Sequence, residues 1–200
     1  MRSLRFALVI GAALLAAACL PVMTKSPVGT TAGLGADKAL IGSWKAIPTD
    51  TSSDDEPGYL HFLQTADGMA ALLVSTGKPD GTGDGEWSVY AVSTATLGGH
   101  AYMNARIASE DGKPADPDEA ENTIPLLYRV EADGSIAFYL MSEDAVKAAV
   151  KAGKIAGEVG EGSMGDVLIT AAPEVEDKFF ASDEGAALFT EKLMVLKKLQ

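Results

Sequence analysis

One cysteine, two histidines and two tryptophans are spread over 200 residues. With a single thiol the chain can close no internal disulfide. Its histidines, His61 and His100, have no second histidine or cysteine at ligand spacing, so no metal set is recognisable and each is read as a hydrogen-bonded or exposed imidazole. Cations are also scarce, with 16 Lys and Arg against 28 Asp and Glu for a formal charge of −12. Such a surface repels phosphate backbones and anionic head groups, which excludes nucleic acid as a partner. The long apolar run, Phe6 to Ala18, has 13 residues, short of the roughly 20 that a membrane-crossing helix requires.

That run has a different use. Arg2 and Arg5 precede it and the small residues Ala16, Ala17 and Ala18 close it, which is the layout of a secretory signal peptide over residues 1–18. The next residue is Cys19, and Leu15-Ala16-Ala17-Ala18-Cys19 resembles the lipobox of bacterial lipoproteins. The resemblance implies that Cys19 becomes the lipidated first residue of the mature protein. It implies a cell-envelope location, with Leu20 after the cysteine pointing to the outer membrane and the domain facing the periplasm. A plain Ala-x-Ala cleavage is the alternative, but the absence of cysteine from all later residues favours a thiol that carries lipid over one left reactive. Removing the leader leaves 14 basic residues against 28 acidic, a charge of −14, so a covalent lipid and not electrostatics would hold the protein at a membrane.

Residues 19–37 are small and polar, carry Pro21, Pro27, Gly29, Gly33 and Gly35, and show no period. They read as the lipidated N-terminus and a flexible tether. Residues 38–200 suffice for a single domain. Its expected strands are Leu40 to Ile47, Tyr59 to Thr65, Met69 to Ser75, Glu86 to Ser93, Ala101 to Ala108, Ile124 to Glu131 and Ser135 to Met141. Asp67-Gly68 and Asp133-Gly134 supply hairpin turns. Ala101, Met103, Ala105 and Ile107 alternate with Tyr102, Asn104 and Arg106, which predicts one buried and one wet face.

At Ser142 the period changes. Ser142 can cap a short helix whose first turn holds Glu143 and Asp144 and which Gly153 ends. Asp166 to Ala171 reads as a strand, Pro173 starts a second helix to about Ala181, and Asp183 to Leu188 forms a further turn. Lys192 to Leu199 is apolar on both faces and is the last strand, covered by the preceding helices. The fold class is therefore mainly β with minor α: an antiparallel meander barrel, closed by pairing the last strand with the first, with two or three short helices before that last strand.

Gly42-Ser43-Trp44 on the opening strand resembles the Gly-x-Trp motif of lipocalins. In that family the tryptophan plugs one barrel end beneath a basic side chain from near the C-terminus. The resemblance implies a lipocalin-like barrel, with Lys197 or Lys198 in the basic position, and a small apolar or amphipathic ligand. Trp44, Trp87, Tyr128 and Phe138 are the expected aromatic lining of such a pocket.

Other motifs carry less. Gly160-Glu161-Gly162-Ser163-Met164-Gly165 fits Gly-x-Gly-x-x-Gly, but a strand rather than a helix is expected after it, so it reads as a loop. Glu161 also removes the first glycine of a Gly-x-Ser-x-Gly elbow. Asp80 to Glu86 has the oxygen ligands of a calcium loop, but Ala91 stands where a closing glutamate is needed, and a surface hairpin loop is the better reading. Glu110 to Glu121 reads as a solvated acidic loop broken by Pro114 and Pro117. No catalytic group, metal site or cofactor is expected. The alternative to ligand binding is a structural or interaction protein that offers its outer surface to another envelope component.

Overall fold

Alternation of apolar side chains along eight segments sets the architecture, because each such strand has one face to bury and the eight together can close on themselves. The computed structural model describes residues 21–49, 58–66, 68–75, 85–160 and 167–199. The strands are β1 (Met23–Thr24), β2 (Gly42–Pro48), β3 (Gly58–Thr65), β4 (Gly68–Val74), β5 (Trp87–Leu97), β6 (His100–Glu110), β7 (Lys113–Pro114), β8 (Ile124–Val130), β9 (Ile136–Met141), β10 (Gly157–Val159), β11 (Val167–Ile169) and β12 (Phe189–Lys198). The helices are α1 (Pro117–Glu121), α2 (Glu143–Lys151), α3 (Pro173–Phe180) and α4 (Asp183–Ala186).

Eight of these strands form a closed antiparallel barrel in the order β2-β3-β4-β5-β6-β8-β9-β12, and β12 returns to β2. Each barrel strand pairs with its neighbours in the chain, so this is an up-and-down meander of the lipocalin-like kind, without free edges. Closure is made by Leu196 opposite Ala46 and Lys198 opposite Trp44. β7 extends the sheet beside β6, and β1, β11 and β10 make a separate three-stranded sheet.

The barrel interior is one core, to which every barrel strand contributes. Trp44, Phe62, Ala71, Val92, Met103, Tyr128, Phe138 and Leu196 belong to it, with Leu40 entering from the preceding turn. A second core lies on the outer face of β6, β8 and β9. There Tyr102, Leu127 and Met141 pack with Val146 of α2, Ile169 of β11, Phe180 of α3 and Phe189 of β12. The helices before the last strand thus cover the barrel wall.

Two expectations are corrected. Residues 21–37 are no flexible tether: Val22 and Val28 join the second core, and Val28 and Thr24 are wholly buried. Asn104 fixes Val28 from both sides, accepting from its amide at 2.8 Å and donating to its carbonyl at 2.9 Å. Thr24 pairs with Thr123, and Gly35 pairs with Thr94. The segment is a strap tied across the barrel wall, and the folded body begins near Pro21 rather than at residue 38. Consequently the second face of β6 is not wet. Tyr102 and Asn104 are buried beneath strap and helices, and the face is exposed only from Arg106 onward.

A smaller difference concerns Ser142. It occupies the N-cap of α2 and accepts from Val146 through its carbonyl, but its side chain does not cap the helix and bonds Glu191 of β12 instead. The expected glycine string from 160 to 165 falls largely outside the described residues, between the antiparallel partners β10 and β11. The expected calcium-type loop lies outside them up to residue 84.

Candidate functional site

Inside the barrel, alternation puts Leu60 and Phe62 of β3, Ala71 and Leu73 of β4, and Tyr90 and Val92 of β5 along one side of a cavity. Met103 and Ala105 of β6, Ile124 and Leu126 of β8, and Leu193 and Met194 of β12 complete it. It holds about 60 Å³ of room for the centres of water-sized spheres, above the roughly 10–15 Å³ that one water needs. The cause is local. Ala71 stands opposite Tyr90 and Ala105 opposite Val92 in the β4–β5 and β5–β6 pairings, and two methyl side chains where the barrel interior needs larger ones leave space.

Trp44 does not line the cavity, although its cross-strand partner Leu60 does. Ile124, Leu193 and Met194 are only partly buried, so the cavity wall thins between β8 and β12. That weak point coincides with the shift in β12–β9 register between Lys192 and Met194. Everything facing the space is hydrocarbon or thioether. Tyr90 presents its ring to it, while its hydroxyl bonds Ser88 and its pKa is raised above the ordinary phenol value first by burial, with the charge of Glu110 adding to it. A wholly apolar lining matches an apolar guest or the hydrocarbon part of an amphipathic one.

The expected aromatic residues divide in two. Trp44, Tyr128 and Phe138 are buried in the same barrel core but do not line the cavity. Tyr128 and Phe138 pack with ring centroids 5.7 Å apart, and the Tyr128 hydroxyl donates to Asp37 at 2.6 Å. Lys198 Nζ stands 5.4 Å from the centre of the Trp44 ring, the basic partner expected there. Trp87 is corrected: it points outward and is 40% exposed, so it is not part of any interior lining. Phe62 and Tyr90 are the aromatic residues that face the cavity instead.

Other candidate groups remain apart. His61 Nδ1 is 2.8 Å from Ser43 Oγ on the outer surface of β2 and β3, and among the described residues no carboxylate completes that pair. His100 Nε2 lies 3.7 Å from the exposed Asp183. Cys19 lies outside the described residues, and among those described no helix is long and apolar enough to cross a membrane. Two open hollows beside Leu34 are lined by mixed groups such as Thr65, Ser93 and Arg106. No family model, curated protein or solved structure matches the chain.

Proposed function

We propose that the protein is a lipid-anchored cell-envelope protein whose barrel takes up a small apolar molecule or the tip of an amphipathic one. The observation that carries the ligand reading is the apolar cavity between Ala71, Ala105 and Met194. Its size and wholly apolar lining suit a few heavy atoms of hydrocarbon. Anchoring rests on the Leu15-to-Cys19 sequence, and outer-membrane attachment with the domain in the periplasm on Leu20. Titration with 1-alkanols and fatty acids of four to ten carbons, followed by the methyl resonances of Met103 and Met194, tests the cavity. Saturable shifts that Ala105→Leu removes are expected, and no saturable shift with any of these compounds would overturn the reading. Replacing Cys19 with serine should release the protein from the membrane fraction, and unchanged association would exclude the lipid as the anchor.

A second reading, an interaction protein, is favoured by the outward face of β3–β5. Tyr59 lies opposite Val74, Val74 opposite Trp87, and Leu72 opposite Val89. Leu63 and Trp87 on that face are 58% and 40% exposed. A continuous apolar row on an outer sheet face is a feature of docking surfaces. Loss of a stoichiometric complex on changing Leu63 and Trp87 to serine, with the Met103 shifts intact, would establish this reading in place of the first.

A further inference from the structure

The second core contains two consecutive acids, Glu176 and Asp177 on α3, with relative exposures of 0% and 5%. They are treated differently. Asp177 accepts from the Gly29 amide at 2.6 Å, the Thr31 amide at 2.7 Å and the Thr31 hydroxyl at 2.6 Å. Both oxygens of Glu176 lack a hydrogen-bond partner among the described residues. A buried carboxylate without donors is costly, whereas a neutral carboxyl costs much less, so such a group keeps its proton. The polypeptide that lies over Asp177, next to Glu176 on α3, is the strap, tied down at Gly29 and Thr31 by Asp177 itself.

We propose that Glu176 and Asp177 form a proton-controlled latch, in which neutral Glu176 lets Asp177 hold the strap at residues 28–31 and ionised Glu176 drives the strap open. The balance of charge supports this. Burial first, and then the charge of Asp177, pushes the Glu176 carboxyl up to about 8. The other charged groups on the packed elements are Glu174 and Lys178 of α3, Lys25 of the strap, His100 at the start of β6 and Asp183 of α4. None of them hydrogen-bonds or ion-pairs with Glu176 among the described residues. When Glu176 loses its proton, its charge repels that of Asp177 beside it, and no donor among the described residues serves it. Opening admits water to Glu176 and relieves that repulsion, but it also breaks the three hydrogen bonds of Asp177.

The sign follows from the raised value. A carboxyl that is neutral in the closed state and ordinary in the open state favours closure fully at pH values below the open-state pKa. That preference is lost as pH rises toward about 8. The strap lies between Cys19 and the barrel, so with lipid on Cys19 an open latch would lengthen the link to the membrane. The latch itself does not depend on that anchor.

Hydrogen exchange of the full-length protein from pH 5 to 9, corrected for intrinsic exchange rates, tests the latch at the amides of Val28, Gly29 and Thr31. Their opening constant should rise by up to about tenfold per pH unit and level off above about pH 8. Amides of Phe62 and Phe138 in the barrel should not follow it. Glu176→Gln should make the strap amides independent of pH, and Glu176→Met serves the same purpose if the glutamine variant does not fold. Asp177→Asn should weaken protection at every pH. The proposal is overturned if the wild-type strap shows no pH dependence, if the slope survives removal of the Glu176 carboxyl, or if the barrel amides share it.

Discussion

Lys198 on the last strand stands over Trp44 on the first, with Nζ 5.4 Å from the ring centre, across the pairing that closes the barrel. The indole nitrogen donates to the Leu40 carbonyl at 2.7 Å. Trp44 is therefore held by the turn before β2 on one side and by the seam on the other. Trp44→Ala should lower unfolding free energy by about 3–5 kcal/mol, since a large buried ring leaves a cavity. Lys198→Ala should cost only about 0.5–1 kcal/mol, because the ammonium is exposed. Denaturant titration of both variants checks the ratio, and comparable losses would mean that the lysine does more than cover the ring.

Asn104 provides the central tie of the strap. Its amide satisfies both backbone groups of Val28, and Asn104→Ala leaves those groups buried without partners. Each orphaned group costs about 1–3 kcal/mol, so the variant should lose several kcal/mol of strap stability. Cleavage by a protease between residues 21 and 37 should appear in this variant while the barrel persists. Resistance equal to that of the wild type would show that Thr24–Thr123 and Gly35–Thr94 suffice to hold the strap.

The turn between β5 and β6 uses Gly98 and Gly99, with φ of +58° and +85°, as the favoured two-residue hairpin requires. They differ in surroundings. A Cβ on Gly98 would lie 1.9 Å from the Ala181 carbonyl oxygen, whereas one on Gly99 meets nothing within 4 Å. Gly99→Ala should cost about 1–2 kcal/mol for the backbone alone. Gly98→Ala should cost clearly more, because α3 must move off the turn. Melting temperatures of the pair test this, and equal shifts would indicate that the C-terminal end of α3 yields freely.

Eight strands are readable from alternation because the interior needs one apolar face from each: Leu60 and Phe62, Met103 and Ala105, and Ile136 and Phe138 mark it in the sequence. The lysine over Trp44 is what the resemblance of Gly42-Ser43-Trp44 to the lipocalin motif implies, and Lys198 stands there. Trp87 was not readable. On β5 the set Ser88, Tyr90 and Val92 competes with Trp87, Val89 and Ala91, and both sets are apolar enough to face inward. The larger ring faces outward because β3–β5 carry apolar residues on both sides. The strap was missed because glycine, proline and threonine give it no period. Its ties come from Asn104 and Asp177, 76 and 148 residues away from their partners.

Tyr90, Tyr102 and Tyr128 all titrate above the ordinary phenol range. Burial is the main cause in each, and for Tyr128 its bond to Asp37 adds to the effect. The neutral phenol is the form the fold favours, so this contribution is complete below the unfolded value near 10 and disappears as pH rises through the folded values. A 295 nm titration should show part of the tyrosine absorbance change delayed beyond pH 11 and appearing together with unfolding. Complete and reversible ionisation near pH 10 in the folded state would place these hydroxyls in contact with water.

The cavity itself yields the final prediction. Ala71 and Ala105 leave about 60 Å³ of room for the centres of water-sized spheres, and surrounding Leu60, Leu73 and Met103 lose contact partners across it. Ala71→Val adds two methyl groups to that space on a strand, where a β-branched side chain is well tolerated. If the space is empty in the purified protein, the substitution should stabilise the barrel by about 0.5–2 kcal/mol, as filling a void does elsewhere. If the protein retains a guest, the same change should displace it, and the guest should appear in the native mass spectrum of the wild type and vanish from that of the variant. A loss of about 1–3 kcal/mol with no guest in either spectrum would mean that the interior is already packed at this level and the added methyl groups strain it. That result would remove the cavity as a binding site.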